Sequence, residues 1–167
     1  MNVGGQVKGS EAMSNSGSFT IRRLGTGDIA LMRAVSAMFG EAFEERDTYT
    51  GRPPDDGYLA RLLARDHVVV LAALQDGVVA GGLFAYVLAK FEQAREEVFI
   101  YDLAVAEAHR RRGIARALIE ETRRIAAARG AHVVFIQTEP DNHAAVALYS
   151  KLGVREDTLH FDIPIDQ

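Results

Sequence analysis

Between His109 and Leu118 the chain reads HRRRGIARAL, which gathers Arg110, Arg111, Arg112 and Arg116 around Gly113 and Ala115. The protein is acidic overall, with a formal net charge of −4, so this knot of guanidinium groups is a local feature. The apolar positions that follow have helical spacing, which predicts a helix beginning near Arg112. A helix N-terminus exposes unpaired N–H groups and carries about half a positive charge. Cations near it are unfavourable by roughly 0.3–1 kcal/mol each, and they also repel one another. A small anion would relieve both penalties. Amides flanked by guanidinium groups suit a pyrophosphate. Gly113 lets an anion approach the backbone, and Ala115 keeps the next turn slim. The alternative is a solvated basic face with Gly113 as a plain loop residue. The buried strand expected just before the arginines favours the anion, because α/β sheets bind ligands at the carboxyl ends of strands. A P-loop would need Lys followed by Ser or Thr after its second glycine, and a dinucleotide fingerprint would need three spaced glycines. Neither pattern is present, and GTG at Gly25–Gly27 lacks the further spacing.

The elements that must position this cluster follow from periodicity. FTIRRL, from Phe19, alternates as a strand does, and Asp28 can cap a helix reaching about Phe43, with Leu31, Ala34, Val35 and Met38 on one stripe. An acid-rich loop broken by Pro53 and Pro54 comes next, then a short helix through Tyr58, Leu59, Leu62 and Leu63. HVVVLAAL and VVAGGLFAYVLAKF read as strands joined by a turn at Gln75–Gly77. EEVFIYDLAVA is apolar almost throughout and should be central. The arginine helix has Ile114, Ala117, Leu118, Ile125 and Ala128 on one stripe and stops at Gly130. AHVVFIQT predicts a buried strand, NHAAVALYSKLG a helix ended by Gly153, and TLHFDI a last strand. This order predicts an α/β domain with a mixed, mostly antiparallel sheet, including one parallel pair with a right-handed crossover.

With 167 residues the chain suits one domain, expected over 19–167, and residues 1–18 read as a disordered tail or tag remnant. No apolar run is long enough for a bilayer and no leader-like stretch opens the chain, so neither membrane nor export is expected. The chain has no cysteine, which excludes disulfides, thiolate metal sites and cysteine nucleophiles and is compatible with a reducing compartment; a cytoplasmic location is the expectation. Its acidity argues against nucleic acid as the main partner. The five histidines lack metal-ligand spacing, so no metal is expected.

Arg110-Arg111-Arg112-Gly113-Ile114-Ala115 resembles the Q/R-x-x-G-x-G/A signature of the GNAT superfamily of N-acetyltransferases. Downstream, NHAAVALYSKLG is similar to that family's second segment, an Asn opening a helix and a Tyr seven residues later, here Asn142 and Tyr149. The resemblance runs from about Phe19 onward. It implies the GNAT fold, with the parallel pair splayed at the acetyl-coenzyme A site. It also implies that Arg110 to Arg116 and the amides of Gly113, Ile114 and Ala115 hold the pyrophosphate. Leu103, Ala104 and Val105 would then lend backbone groups to the pantetheine arm where the strand bulges. Family members often dimerise, so a homodimer is a further expectation. The runs LFAYVLAKFEQAREEVFIYDLAV and AVALYSKLGVREDTLHFDI look like those of gentamicin-type aminoglycoside 3-N-acetyltransferases, which implies a small polycationic amine as substrate. EPDNHA departs from the more acidic, glycine-containing loop of that group.

Acetyl transfer to an amine needs a base for the ammonium, donors for the oxyanion and an acid for the departing sulfur. Asp102, in an otherwise apolar strand stretch, is the candidate base, directly or through water. Burial would raise its pKa toward neutrality. Its other readings are an ion pair with an arginine or a side chain turned to solvent. Tyr149 is the acid that the resemblance implies; its stripe with Ala145, Leu148 and Leu152 equally suits a core tyrosine. Asn142 can cap its helix, as can Asp141; the resemblance also implies Asn142 as a cofactor-binding residue, and both readings can hold together. The oxyanion donor is expected among the amides of Leu103 to Val105. Asp141, Glu139 and Tyr101 are the candidate substrate contacts, with acid also supplied by the loop from Glu41 to Asp56. The readings that compete with an aminoglycoside enzyme are the same chemistry on another amine or a protein lysine, and a non-catalytic acyl-coenzyme A sensor.

Overall fold

A computed structural model describes residues 18–165, so the tail expected at 1–18 falls, apart from Ser18, outside the described residues. Five strands form one sheet in the order β1 (Thr20–Arg23), β2 (Val68–Gln75), β3 (Val78–Ala89), β4 (Glu96–Val105) and β5 (Ala131–Ile136). The first four pair antiparallel and β5 runs parallel to β4. The helices are α1 (Ile29–Ala42), α2 (Arg46–Thr50), α3 (Asp56–Leu63), α4 (Ile114–Ala128) and α5 (His143–Tyr149). The mixed, mostly antiparallel α/β architecture read from the sequence is the one observed.

Each sheet face has its own apolar layer. On one face Met32, Val35, Met38 and Phe39 of α1 and Leu59 and Leu63 of α3 meet Val68, Val70, Ala72 and Phe84. On the other, α4 lays Ile114, Leu118, Ile119, Ile125 and Ala126 on Val69, Leu71, Leu83, Val98 and Ile100. Burying one such leucine is worth about 1.5–3 kcal/mol. β2 is covered on both faces, as its run of Val, Leu and Ala requires. The helix stripes differ slightly from expectation. Thr122 is fully buried on α4, its hydroxyl donating to the Leu118 carbonyl at 2.9 Å, while Ala128 and Ala34 are exposed. The Asp28 carboxylate makes no cap bond; it accepts from the Gly25 N–H at 2.8 Å and pairs with Arg22 instead.

Three further expectations are corrected. The acid-rich loop contains a helical turn, α2, which packs Tyr49 against Phe39 and Phe43 with ring centroids 5.8 Å apart in each case. Helix α4 starts at Ile114, so Arg110, Arg111 and Arg112 lie in the loop leading into it. TLHFDI is not a strand: residues 158–163 have no strand pairing, and Leu159, Phe161 and Ile163 are exposed. Alternation supplies one apolar face, but a strand also needs a neighbour for its N–H and C=O groups.

Candidate active site

The loop from Arg110 to Gly113 is shaped by its backbone. Arg110 is extended at φ −63° and ψ 160°, Arg111 has φ 62° and Gly113 has φ 81°. Alternation of hand across such a loop turns successive N–H groups toward one side and makes an anion-binding concavity. A left-handed Arg111 costs about 1–2 kcal/mol, the kind of strain found where function maintains it. Gly113 supplies no side-chain cap for α4, and no acidic residue occupies the first turn, so no carboxylate satisfies the first amides. Glycine is required at 113 by its φ, since a Cβ there would meet no protein atom within 4 Å. Sterics act at Gly81 of β3 instead. A Cβ at Gly81 would lie 2.9 Å from Ile114 Cγ2 and 3.1 Å from the Ala104 carbonyl, so its absence lets the start of α4 seat on the sheet.

The four arginines divide by partner. Arg110 Nε donates to the Val105 carbonyl at 3.2 Å, and Arg112 Nη1 donates to Gln75 Oε1 at 3.3 Å. Those bonds fasten the loop to the ends of β4 and β2. Among the described residues none of Arg110, Arg111, Arg112 and Arg116 pairs with a carboxylate, whereas eight other arginines do. Unpaired guanidinium groups beside uncapped amides fit a phosphate ligand. Ile114 and Ala104 are buried, so only their backbones face such a ligand.

β4 and β5 pair from Glu96↔Ala131 to Ile100↔Ile136, after which β4 continues to Val105 paired with β3 only. The backbone groups of Leu103, Ala104 and Val105 on the β5 side are thus outside the ladder, as the splayed pair requires. The bulge, however, lies earlier than expected, at Tyr101, where Phe84 opposes Asp102 and Ala85 opposes Ile100. Its consequence is a change of face. Val98 and Ile100 point to the α4 layer; with strict alternation Asp102 would follow them. The extra residue reverses the phase, so Ala104 joins the α1 layer while Leu103 and Val105 pack toward α4. Asp102 therefore meets α2.

There Tyr49 Oη donates to Asp102 Oδ1 at 2.9 Å. Asp102 is half-buried, and desolvation raises its pKa above the ordinary carboxylate value. The Tyr49 hydrogen bond opposes the shift and the nearby negative charge of Glu45 adds to it. Burial, and next the bond to Asp102, push the Tyr49 hydroxyl well above its usual range. No arginine pairs with Asp102 among the described residues, which removes the ion-pair reading. Sequence reasoning missed Tyr49: it stands 53 residues from its partner, in a stretch whose only signal was acidity.

Tyr149 ends α5 and packs beside the α4 layer. Burial pushes its hydroxyl up to about 12, so it stays protonated at neutral pH. Asn142 is the N-cap, its Oδ1 accepting from the Ala145 N–H at 3.2 Å. Glu139 and Asp141 lie exposed in the β5–α5 loop. Tyr101 is 63% exposed and edge-on to Tyr86 and Phe99, centroids 5.9 and 5.6 Å away, forming an aromatic ledge beside Asp102. An open depression lined by Glu41, Glu44, Glu45, Asp47, Arg46 and Thr48 lies just before Tyr49 in the chain; its carboxylates outnumber its one cation, Arg46, which pairs with Glu41. The candidate base and acid thus belong to opposite faces of the sheet. Among the described residues no group of His, Asp or Glu could hold a metal ion, and no helix is long and apolar enough to cross a membrane.

Known proteins of similar sequence share this fold. Residues 22–154 match the model of the Acetyltransferase (GNAT) family. The chain is 28% identical over 109 residues, 62% of its length and 75% of the relative's, to the aminoglycoside N(6')-acetyltransferase type 1 of Salmonella typhimurium. Among solved structures it is similar to the aminoglycoside acetyltransferase HMB0005 from an uncultured soil metagenomic sample, at 54% identity and a TM-score of 0.88, covering 89% of this chain and 99% of that one. It is also similar to meta-AAC0020, from such a sample and in complex with sisomicin, at 29% identity and a TM-score of 0.82, covering 89% and 97%.

Proposed function

Given that the chain belongs to the acetyltransferase (GNAT) family, we propose that it transfers an acetyl group from acetyl-coenzyme A to an aminoglycoside, with the 3-amino group as acceptor. The observation that carries the cosubstrate is the Arg110–Gly113 loop, whose left-handed residues lead into an α4 N-terminus without a side-chain cap. Its amides and the Arg111 and Arg116 guanidinium groups would hold the pyrophosphate. The strand edge at Leu103 to Val105 would bind the pantetheine arm. Acetyl-coenzyme A supplies the activated acyl group; the chain's own side chains manage protons. Asp102 takes a proton from the substrate ammonium, directly or through one water, and the neutral amine then attacks the thioester carbonyl. Amides of residues 103–105 donate to the carbonyl oxygen as negative charge develops on it. The C–S bond breaks as Tyr149 gives its proton to the departing sulfur; the second nitrogen proton is lost to solvent as the amide forms, and Tyr149 is reprotonated from solvent.

A polycation is the substrate that the acidic side of Asp102 favours. Glu41, Glu44, Glu45 and Asp47 would concentrate and orient it, and the Tyr86–Tyr101 ledge offers apolar rings to sugar faces. Tyr101, Glu139 and Asp141 remain the proposed substrate contacts. The proteins similar in sequence and structure are named for aminoglycosides, which supports the class. The long runs around β4 and α5 support the 3-amino group, while the Salmonella relative is named for the 6' amine. Mass spectrometry of gentamicin incubated with protein and acetyl-coenzyme A should show one added acetyl group, and NMR should place it on N3. Acetylation at N6' would overturn the position; no turnover of any aminoglycoside would overturn the substrate class.

A further inference from the structure

Val69, Leu71 and Ala73 of β2 point to the α4 layer. Alternation puts Gln75 next on that face, where the row of buried side chains runs out. The bulge at this end of the hairpin falls on β3, where Gly81 opposes Ala73 and Val79 opposes Leu74, so the phase of β2 is unbroken. The segment from Ala106 to Gly113 passes this point on its way into α4. It is fastened to the sheet by few bonds. The Ala106 N–H donates to the Ala80 carbonyl at 2.9 Å, and Arg110 Nε donates to the Val105 carbonyl at 3.2 Å. The remaining bonds converge on Gln75 Oε1, which lies 2.9 Å from His109 Nδ1 and 3.3 Å from Arg112 Nη1. Among the described residues, Gln75 is the one side chain outside the segment that bonds to it. A guanidinium group only donates, so the atom that receives Arg112 is the amide oxygen, and His109 Nδ1 must carry a proton to share it.

We propose that Gln75 is a positioning residue for cosubstrate binding: its uncharged amide holds Arg112 and His109 beside the phosphate loop without cancelling the guanidinium charge. The inference rests on the acetyl-coenzyme A reading of that loop. The kind of acceptor is the decisive feature. Eight other arginines sit against carboxylates. A carboxylate at position 75 would bind Arg112 more strongly, but the pair would then be neutral and offer nothing to a phosphate. Asp76 and Glu107, the acids nearest in sequence, are exposed and form no ion pair among the described residues. Gln75 thus supplies the geometry of an ion pair and leaves its charge in place.

The test titrates coenzyme A into the full-length protein and its variants by calorimetry at about pH 9, well above the ordinary histidine range, so that His109 stays neutral beside a new carboxylate. Gln75→Glu keeps both hydrogen bonds and should melt at or above the wild-type temperature. Its Kd for coenzyme A should nevertheless rise about 3- to 10-fold in about 20 mM salt, and the difference from wild type should nearly vanish in about 1 M salt, where charge is screened within about 3 Å. Gln75→Leu removes the acceptor and keeps the charge, so its weaker binding should persist in high salt. If Gln75→Glu melts well below wild type, Arg112→Gln decides, since it should reproduce the same salt-sensitive loss. Wild-type affinity in Gln75→Glu at low salt would leave Gln75 a plain structural acceptor and overturn the inference. So would a loss that salt does not relieve, or an Arg112→Gln variant that binds as wild type does. A wild-type protein without affinity for coenzyme A would instead overturn the cosubstrate reading itself.

Discussion

Replacing Gly113 with alanine separates the two tasks assigned to that residue. Its φ is 81°, where an L-residue costs about 1–2 kcal/mol. For a domain of this size that is a fall in Tm of roughly 2–8 °C. The Cβ would meet no protein atom within 4 Å, so no steric term within the fold adds to it. Gly130 provides the control: φ is 77°, no atom lies within 4 Å, and the residue sits at the opposite end of α4. Gly130→Ala should therefore lose about as much stability as Gly113→Ala. Only Gly113→Ala should also displace a bound phosphate from the loop amides. A hydrogen bond to a charged group is worth about 1.5–3 kcal/mol, so the Kd for coenzyme A should rise roughly 10- to 100-fold. Calorimetric titration with coenzyme A and thermal melts of the three proteins read both quantities. Equal Kd in wild type and Gly113→Ala, with Tm lowered alike in both variants, would reduce Gly113 to a turn residue and refute the phosphate loop.

Asp102→Asn should melt higher than wild type at pH 7. Burial raises the folded-state pKa of Asp102 above its unfolded value, so the ionised form subtracts stability as pH climbs through that interval. The difference should close below about pH 4, where both states are protonated, and a gap independent of pH would refute desolvation as its cause. The same variant should lose about 10²- to 10⁴-fold in kcat and flatten the acid limb of the rate profile. Tyr49→Phe removes the hydrogen bond that holds the Asp102 pKa down, so the acid limb of kcat/KM should move to higher pH; an unmoved or lower limb would deny Tyr49 any influence on the base. Tyr149→Phe should reduce kcat by about 10²-fold or more with little change in KM, and wild-type turnover would leave Tyr149 as a packing residue.

Elements dominated by local periodicity were legible before any coordinates. The apolar runs of β2 and β3, the stripe of α4 and the Asn142 cap depend on neighbours a few residues away, and they appear close to where expected. The misplacements share a different cause. Residues 158–163 have the pattern of a strand, but pairing is not a local property, and no strand of the described chain lies beside them. Tyr49 carries no motif; its importance arises because α2 folds over the α1 layer onto a strand distant in sequence.

The arginine run, Gly113 and a helix close behind them were legible in the sequence alone, because the proposed anion site of consecutive amides needs only a run of residues and the helix that follows, although α4 starts at Ile114 rather than near Arg112. Where Asp102 points was decided by tertiary structure. Whether a strand carries a bulge depends on its register with the neighbouring strand, and the single unpaired residue at Tyr101 moves the carboxylate from the α4 face to the face where Tyr49 waits.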